Sequence, residues 1–376
     1  MIIKALSIRN FRNIASADFE FSPDVNIFTG NNAQGKTNLC EAISICLGKN
    51  FRDSKNDELI PFNTLGADET SIELIFAFDN LDRDNKISFK LKGSTSKLSF
   101  NNMEMKSAEE LYGALRYVSF IPDDLFIVKG SPEKRRNYMD YVSNMINRVH
   151  NSKVYEYNKA LKQRNNLLSK LNENMPDYAA DMLESWNDTL SKLGINVLYG
   201  RMKYFSILEE YTKEYYSLLN KNNEILSVKY ESSIIDNITY PLGDKEELYN
   251  IYMNKLRNKL NEELRLKHTV TGVHRDDISF SINEMPSKTF ASQGQTRSIA
   301  IALKLAEARM IFEKSNDYPI MILDDVLSEL DSYRRSFIIN HIEKLQTFIT
   351  SCNISDINNL SGGKVWKVKN GVFEVN

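Results

Sequence analysis

Gly30-Asn31-Asn32-Ala33-Gln34-Gly35-Lys36-Thr37 is the stretch whose reading decides the fold. It has the form G-x-x-x-x-G-K-[ST], a glycine loop whose backbone N–H groups cradle phosphate oxygens. Upstream, Val25 to Thr29 is a short β-rich apolar run, read as a buried strand. Downstream, Leu39, Ala42, Ile43, Cys46 and Leu47 recur at helical spacing and predict a helix with one apolar face. Strand, loop and helix start together aim several N–H groups and a positive helix end at one phosphate. In that frame Lys36 reaches the β- and γ-phosphates and the Thr37 hydroxyl ligates Mg²⁺. A chance glycine-rich turn would lack the flanking strand and helix.

Working outward, Ile2 to Ile8 reads as a strand, Asn10-Phe11-Arg12-Asn13 as a turn, and Ala17, Phe19 and Phe21 as the inward face of a second strand. Beyond the loop helix, a polar stretch from Gly48 to Asp68 carries little periodicity. Ile72, Leu74, Phe76 and Phe78, then Ile87, Phe89 and Leu91, alternate with polar residues, and Asn101-Asn102 marks a hairpin. This is an antiparallel layer with one wet face. Ser131-Pro132-Glu133 opens a helical stretch running to about Asn220, broken once at Pro176, with Ser131 as cap and Pro132 at the first helical position. Its many tyrosines read first as helix–helix packing, with base stacking as the rarer alternative. Residues 224–240 read as short strands, and Asp244 caps a further helix reaching Leu264. The expected division is thus residues 1–130 with 269–376 as one discontinuous α/β lobe, and residues 131–268 as a mostly helical insertion.

Two further segments complete the site. Ile320-Met321-Ile322-Leu323-Asp324-Asp325 is an apolar strand ending in two carboxylates. In a parallel sheet that end opens on the same crevice as the glycine loop. Asp324 is therefore assigned to Mg²⁺, with Thr37, and Asp325 to orienting water. Ser292-Gln293-Gly294-Gln295 opens an amphipathic helix from Gln293 to about Lys314, a second helix start suited to a phosphate. Two such starts far apart in one chain could hold nucleotide between two copies. After Thr347 to Ser351, another buried strand, Asn370-Gly371 predicts a closing hairpin.

Composition narrows the class. With 376 residues, 42% hydrophobic, 26% charged and a net charge of −2, the chain reads as an ordinary globular protein of about two domains. No overall basic charge marks a nucleic-acid binder, so any polyanion contact must be local. The three cysteines (Cys40, Cys46, Cys352) have no metal-ligand spacing and suggest reduced thiols. No run of ~18 apolar residues predicts a membrane span. A cytoplasmic protein without a membrane is expected.

The order of these pieces, with Ser328-Glu329-Leu330-Asp331 next, resembles the ABC/SMC-type ATPases, and within them the RecF family of bacterial recombination mediators. That family's pattern appears in Asn10-Phe11-Arg12-Asn13, the loop Gly30 to Asn38, Phe120-Ile121-Pro122-Asp123-Asp124-Leu125 and Gly130 to Arg136. It continues in Gly272-Val273-His274-Arg275-Asp276-Asp277, Ser292-Gln293-Gly294-Gln295 and Leu323 to Asp331. The resemblance implies an α/β, ABC-type P-loop ATPase head, a mixed sheet plus an antiparallel β layer, with a helical arm inserted. It implies a slow, DNA-stimulated ATPase using ATP and Mg²⁺, with Lys36, Asp324 and Asp325 catalytic. It further implies an ATP-sandwich homodimer on single-stranded, double-stranded or gapped DNA, in which Ser292 and Gly294 contact the γ-phosphate across the dimer and Asp331 lies at the seam. The implied partners are RecO and RecR, and indirectly RecA, in gap repair, fork recovery and the SOS response. Two departures stand out. The residue after Asp324 is Asp325, where the wider class has Glu. The strand Thr347 to Ser351 ends without the transporters' switch histidine, with Thr350 or Ser351 as stand-in sensors. A transporter-type subunit is disfavoured because Ser292 lies more than 250 residues beyond Lys36. An SMC-like tether would need a far longer heptad arm. His274 reads as a structural histidine. Five basic clusters are candidates for a phosphate track: Lys134-Arg135-Arg136, Arg201 with Lys203, Lys255-Arg257-Lys259, Arg265-Lys267-His268 and Lys364-Lys367-Lys369.

Overall fold

A computed structural model describes residues 1–48, 52, 54–61, 69–78, 83–111, 115–171, 176–221, 223–352 and 363–375. The polar stretch 48–68 lies in large part outside the described residues. The chain divides into two units, residues 1–124 with 304–376, and residues 125–303.

In the first unit the glycine loop follows the middle of a mixed six-stranded sheet. Its order is Val372–Val375, Lys364–Lys369, Val25–Thr29, Thr347–Ser351, Ile320–Asp324 and Tyr117–Phe120. All neighbours run parallel except the terminal hairpin. In that hairpin Asn370 and Gly371 both take positive φ, the geometry a two-residue turn requires. The three innermost strands are buried at every residue, as parallel strands covered on both faces should be. The second sheet is antiparallel, in the order Ile14–Glu20, Ile2–Phe11, Thr70–Ala77, Asp84–Lys92, Thr95–Phe100 and Met103–Glu104.

The helix Lys36–Cys46 packs against strands of both sheets. The expected single apolar face therefore gives way to burial nearly all round, including Glu41. Arg12 resolves that charge: its Nε and Nη2 reach the two Glu41 oxygens at 2.9 and 2.8 Å. Elsewhere the two sheets meet through aromatic rings. Phe19 and Phe21 of one stack edge-on against Phe28, Phe348 and Trp366 of the other at 4.9–6.4 Å.

The second unit is helical around a small sheet. Pro132–Ile146, Val149–Leu168 and the 43-residue Asp177–Leu219 succeed one another. Ser131 occupies the cap position of the first, yet its side chain makes no capping bond. Asp244 does cap Lys245–Asn258, accepting from the N–H groups of Glu246 and Glu247. Leu260–Leu266 follows as a separate helix. Of the strands expected over 224–240, only Leu226–Glu231 forms. Beyond it the Ser233 N–H donates to Asp276 and its hydroxyl to the Gly272 carbonyl, so the backbone turns away from the ladder. Leu226–Glu231 pairs with Asp277–Ile282. Residues 269–303, grouped by sequence with the first lobe, accordingly belong to this unit. Alternation at Ile278, Phe280 and Ile282 marks a strand without naming its neighbour. Among the described residues no helix is long and apolar enough to cross a membrane.

Candidate functional site

The loop Gly30 to Thr37 is held in shape by its surroundings. Ala33 and Gly35 take positive φ (63° and 112°). A Cβ on Gly30 would fall 2.3 Å from the Val368 carbonyl oxygen, so glycine is required there. The closing hairpin clasps the loop's far side: the Gly371 N–H donates to the Gln34 carbonyl at 2.8 Å, and the Asn370 N–H to Gln34 Oε1 at 2.7 Å. Asn13 supports the helix start, accepting from Asn38 Nδ2 at 2.8 Å. Lys36 is buried, and its ammonium donates to the carbonyls of Gly30 and Asn31 at 2.7 and 2.9 Å. The cation thus lies over the mouth of the loop.

Asp324 ends the strand two places from the loop's own, and Thr347–Ser351 runs between them. This order carries the site's geometry. Asp324 Oδ1 accepts from Thr37 Oγ1 at 3.0 Å and from Thr350 Oγ1 at 2.7 Å. The Thr350 hydroxyl in turn accepts from the Asp325 N–H at 2.9 Å. Burial pushes the Asp324 carboxyl up from its usual range, opposed by the Thr350 and Thr37 hydroxyls. Asp325 has φ 55°, a backbone strained for a non-glycine residue. Its carboxylate accepts from Ser328 Oγ at 3.0 Å. Cys352, one residue past the strand, places its sulfur 2.7 Å from Asn32 Oδ1 and 3.7 Å from both Lys36 Nζ and Asp325 Oδ1.

The structure brings the expected Thr37, Asp324, Asp325 and Thr350 together, whereas Cys352, the hairpin clasp on Gln34 and the support from Asn13 and Ser328 were not read from sequence. Of the two suggested stand-ins, Thr350 contacts the carboxylate pair, whereas the Ser351 carbonyl accepts from the Gly30 N–H at 3.4 Å. The only signal for Cys352 was its place just past a strand whose end opens on the crevice.

The Ser292 to Gln295 turn belongs to the second unit and forms a reciprocal cap. The Ser292 N–H donates to Gln295 Oε1 at 2.8 Å, and the Gln295 N–H to Ser292 Oγ at 3.1 Å. Gln295 Nε2 is anchored on Glu224 at 2.8 Å, and Ser292 and Gln293 remain exposed. Asp331 caps Ser332–Ile342 by accepting from the Arg334 N–H at 3.0 Å.

His274 is structural. Tyr157 OH bonds its Nδ1 at 2.7 Å, and its Nε2 faces the Thr269 carbonyl at 3.1 Å. Burial lowers its pKa to about 4. Arg275 bonds the Thr269 carbonyl, while Asp276 is taken by Tyr230 and Ser233.

The basic clusters divide sharply. Arg135 is buried in a bidentate pair with Asp277 at 2.6 and 2.9 Å, and Arg201 in one with Asp140 at 2.8 Å. Both therefore leave the list of candidate DNA contacts. Arg257 pairs with Glu184, Lys259 with Glu262, and Lys255 with Asp236. Lys134, Lys203, Arg265, Lys367 and Lys369 keep exposed side chains.

Residues 2–370 match the family described as RecF/RecN/SMC N terminal domain. The chain is 36% identical over 377 residues to the DNA replication and repair protein RecF of Clostridium acetobutylicum, covering 99% of each chain. To the RecF of an Exiguobacterium strain it is 35% identical, covering 100% of this chain and 99% of that one. A solved structure of the recombination mediator protein RecF-ATP in the RecFOR pathway superposes with TM-score 0.89 at 31% identity, covering 100% and 97%. An Smc head bound to the C-winged helix domain of ScpA has the same fold at TM-score 0.58 and 15% identity, covering 100% and 97%.

Proposed function

The chain belongs to the RecF/RecN/SMC N-terminal domain family, and from that membership we propose that it is an ATP-dependent, DNA-binding recombination mediator of gap repair. In this reading ATP closes two copies into a sandwich on DNA, and slow, DNA-stimulated hydrolysis reopens it. RecR and RecO act with it to help load RecA in the cytoplasm, and the same activity serves fork recovery and SOS induction. The relatives named above carry the repair role, and the solved relative carries ATP and the RecFOR pathway.

The single observation that carries the chemistry is the double hydroxyl grip on Asp324, by Thr37 from the loop and Thr350 from the intervening strand. It joins a phosphate-binding loop to a buried carboxylate, the donor set that suits Mg²⁺ completed by phosphate oxygens and water. Bound there, Mg²⁺ would neutralise charge on the β- and γ-phosphates. Thr37 and Asp324 would hold it. Lys36 would exchange its loop carbonyls for phosphate oxygens, which need that charge more. Asp325, backed by Ser328 and the Thr350 hydroxyl, would orient the attacking water. With a shorter side chain than Glu and a strained backbone, it fits a timer better than a fast engine. Residues 1–124 and 304–376 carry this half of the site. Residues 125–303 carry Ser292 and Gly294, which would close on the γ-phosphate held by a second copy.

Sedimentation with and without ATP and Mg²⁺, then with gapped duplex, tests the reading. A nucleotide-driven dimer that retains DNA is expected, lost in Lys36→Ala through nucleotide binding and in Ser292→Arg through blocked closure. A monomer under every condition, or a Ser292→Arg variant that dimerises normally, would refute the sandwich.

A further inference from the structure

The small sheet of the second unit is open along one side. Its order is Met285–Pro286, Asp277–Ile282 and Leu226–Glu231, so among the described residues Leu226–Glu231 has a strand neighbour on one edge only. It pairs with Asp277–Ile282 from Leu226 to Glu231 without a shift of register. A strand paired on one side leaves alternate N–H and C=O groups pointing away on the other. That outer edge runs along a groove of about 730 Å³. Val228, Lys229, Tyr230 and Glu231 line the groove in succession, although Val228 and Tyr230 are buried on one face and Lys229 and Glu231 exposed on the other. Residues of both faces line one hollow where it follows the strand's edge. The helix Asp177–Leu219 supplies one wall with Met202, Phe205 and Ser206, and residues 235–240 supply another. The Phe205 ring packs edge-on against Tyr230 at 5.5 Å, which holds wall and strand together. Three carboxylates (Glu209, Glu231, Asp236) and one ammonium (Lys229) complete the lining. Lys213 and Lys255 meet Glu209 and Asp236 from beyond it. Such partly exposed pairs are worth about 0–1 kcal/mol, so an arriving cation can share those carboxylates.

We propose that this groove takes an extended, cationic segment of a partner protein, added as a further strand to the edge Leu226–Glu231. Strand addition draws affinity from main-chain hydrogen bonds and specificity from pockets for alternate side chains. The edge dictates an extended occupant, because a helix spends its N–H and C=O groups internally and has none to offer. Alternation dictates the side chains. One set lies on the Val228 and Tyr230 side, against Met202 and Phe205, and suits aliphatic residues. The other lies on the Glu231 side and suits lysine or arginine. A nucleic-acid backbone would bring phosphates towards three carboxylates, which disfavours it. All lining residues belong to the second unit, and none belongs to the glycine loop, so binding needs no nucleotide.

The probe is a labelled hexapeptide that alternates lysine and valine, added to the full chain without nucleotide. Fluorescence anisotropy reads its affinity, and hydrogen exchange with mass spectrometry reads its place. Binding should slow exchange over residues 226–231 by about tenfold or more, as outward N–H groups gain partners. N-methylation of every second peptide residue should abolish binding, and glutamate in place of lysine should weaken it roughly tenfold. Ser206→Arg, which fills the groove from the helix, should weaken it about tenfold or more, and Glu231→Lys about threefold. Both variants should keep the parent's circular dichroism and ATP hydrolysis. No binding up to about 1 mM overturns the proposal, as does binding that leaves exchange over 226–231 unchanged or that survives N-methylation. Protection of that stretch by raised protein concentration alone assigns the edge to a second copy. Protection by an oligothymidylate assigns it to nucleic acid. Either result also overturns the proposal.

Discussion

Replacing Thr350 by valine keeps the shape of a buried β-branched side chain and removes one hydroxyl. That hydroxyl donates to Asp324 Oδ1 at 2.7 Å and accepts from the Asp325 N–H at 2.9 Å, and Thr350 is fully buried. Valine therefore strands a part-buried backbone donor and strips a buried carboxyl of one of its two hydroxyl partners. Leaving a buried group unsatisfied costs about 1–3 kcal/mol, with charged groups at the upper end, so the two together should cost about 3–4 kcal/mol. For a unit of this size that corresponds to a fall in melting temperature of roughly 6–15 °C. Thr350→Ser, which keeps the hydroxyl and loses a methyl, should cost only about 1 kcal/mol. The assay is urea unfolding of parent, Val and Ser variants, read by circular dichroism, followed by ATP hydrolysis on the folded variants. Hydrolysis should fall with Val and be largely retained with Ser, since Thr350 holds both carboxylate residues in register. A Val variant within about 0.5 kcal/mol of the parent would mean that the Thr350 bonds are not worth what their burial implies.

Three further outcomes follow from the second unit. His274, neutral in the fold with pKa about 4 against an ordinary 6.5, contributes stability that is complete above pH 6.5 and is lost as pH falls towards 4. The window is worth about 3 kcal/mol, and His274→Gln should flatten the stability–pH profile there in denaturant titrations. Gly272 has φ 141°, and a Cβ on it would meet Tyr252 OH at 2.1 Å and Tyr157 OH at 2.4 Å. Gly272→Ala should thus cost about 2–4 kcal/mol by strain and overpacking, seen as a lower melting temperature. Arg135→Met leaves Asp277 without its bidentate partner and should destabilise by about 3 kcal/mol. Its folded fraction should keep the parent's salt dependence of DNA binding, whereas a phosphate contact would lower that slope by about one.

The local pieces of this protein were legible because each depends on neighbours in sequence. Glycines at the turns of the loop, four apolar residues before Asp324, and Asn-Gly between alternating runs each state a backbone geometry that no distant residue can change. The resemblance then ordered those pieces into one site. The burial of Glu41 was not legible, because a helix sandwiched between two sheets and a helix on a surface share the same apolar stripe. Arg12, 29 positions earlier, is what makes that burial tolerable. The cationic clusters misled for a similar reason. A run such as Lys134-Arg135-Arg136 states charge, but burial of Arg135 against Asp277, 142 positions away, converts one charge from an available contact into a structural tie.

Sequence by itself determined the nucleotide loop, the carboxylate strand, the second helix start and the family, since these are short-range patterns of residue type. Tertiary structure alone decided three things. Asp277–Ile282 pairs with Leu226–Glu231 in the second unit. Thr350 became the bridge between Thr37's carboxylate partner and Asp325. Arg135 was buried against Asp277. The physical reason is common to all three. Strand neighbours, hydroxyl partners and solvent exposure are set by which distant segments meet, and the free energy that selects those meetings is shared across the whole core.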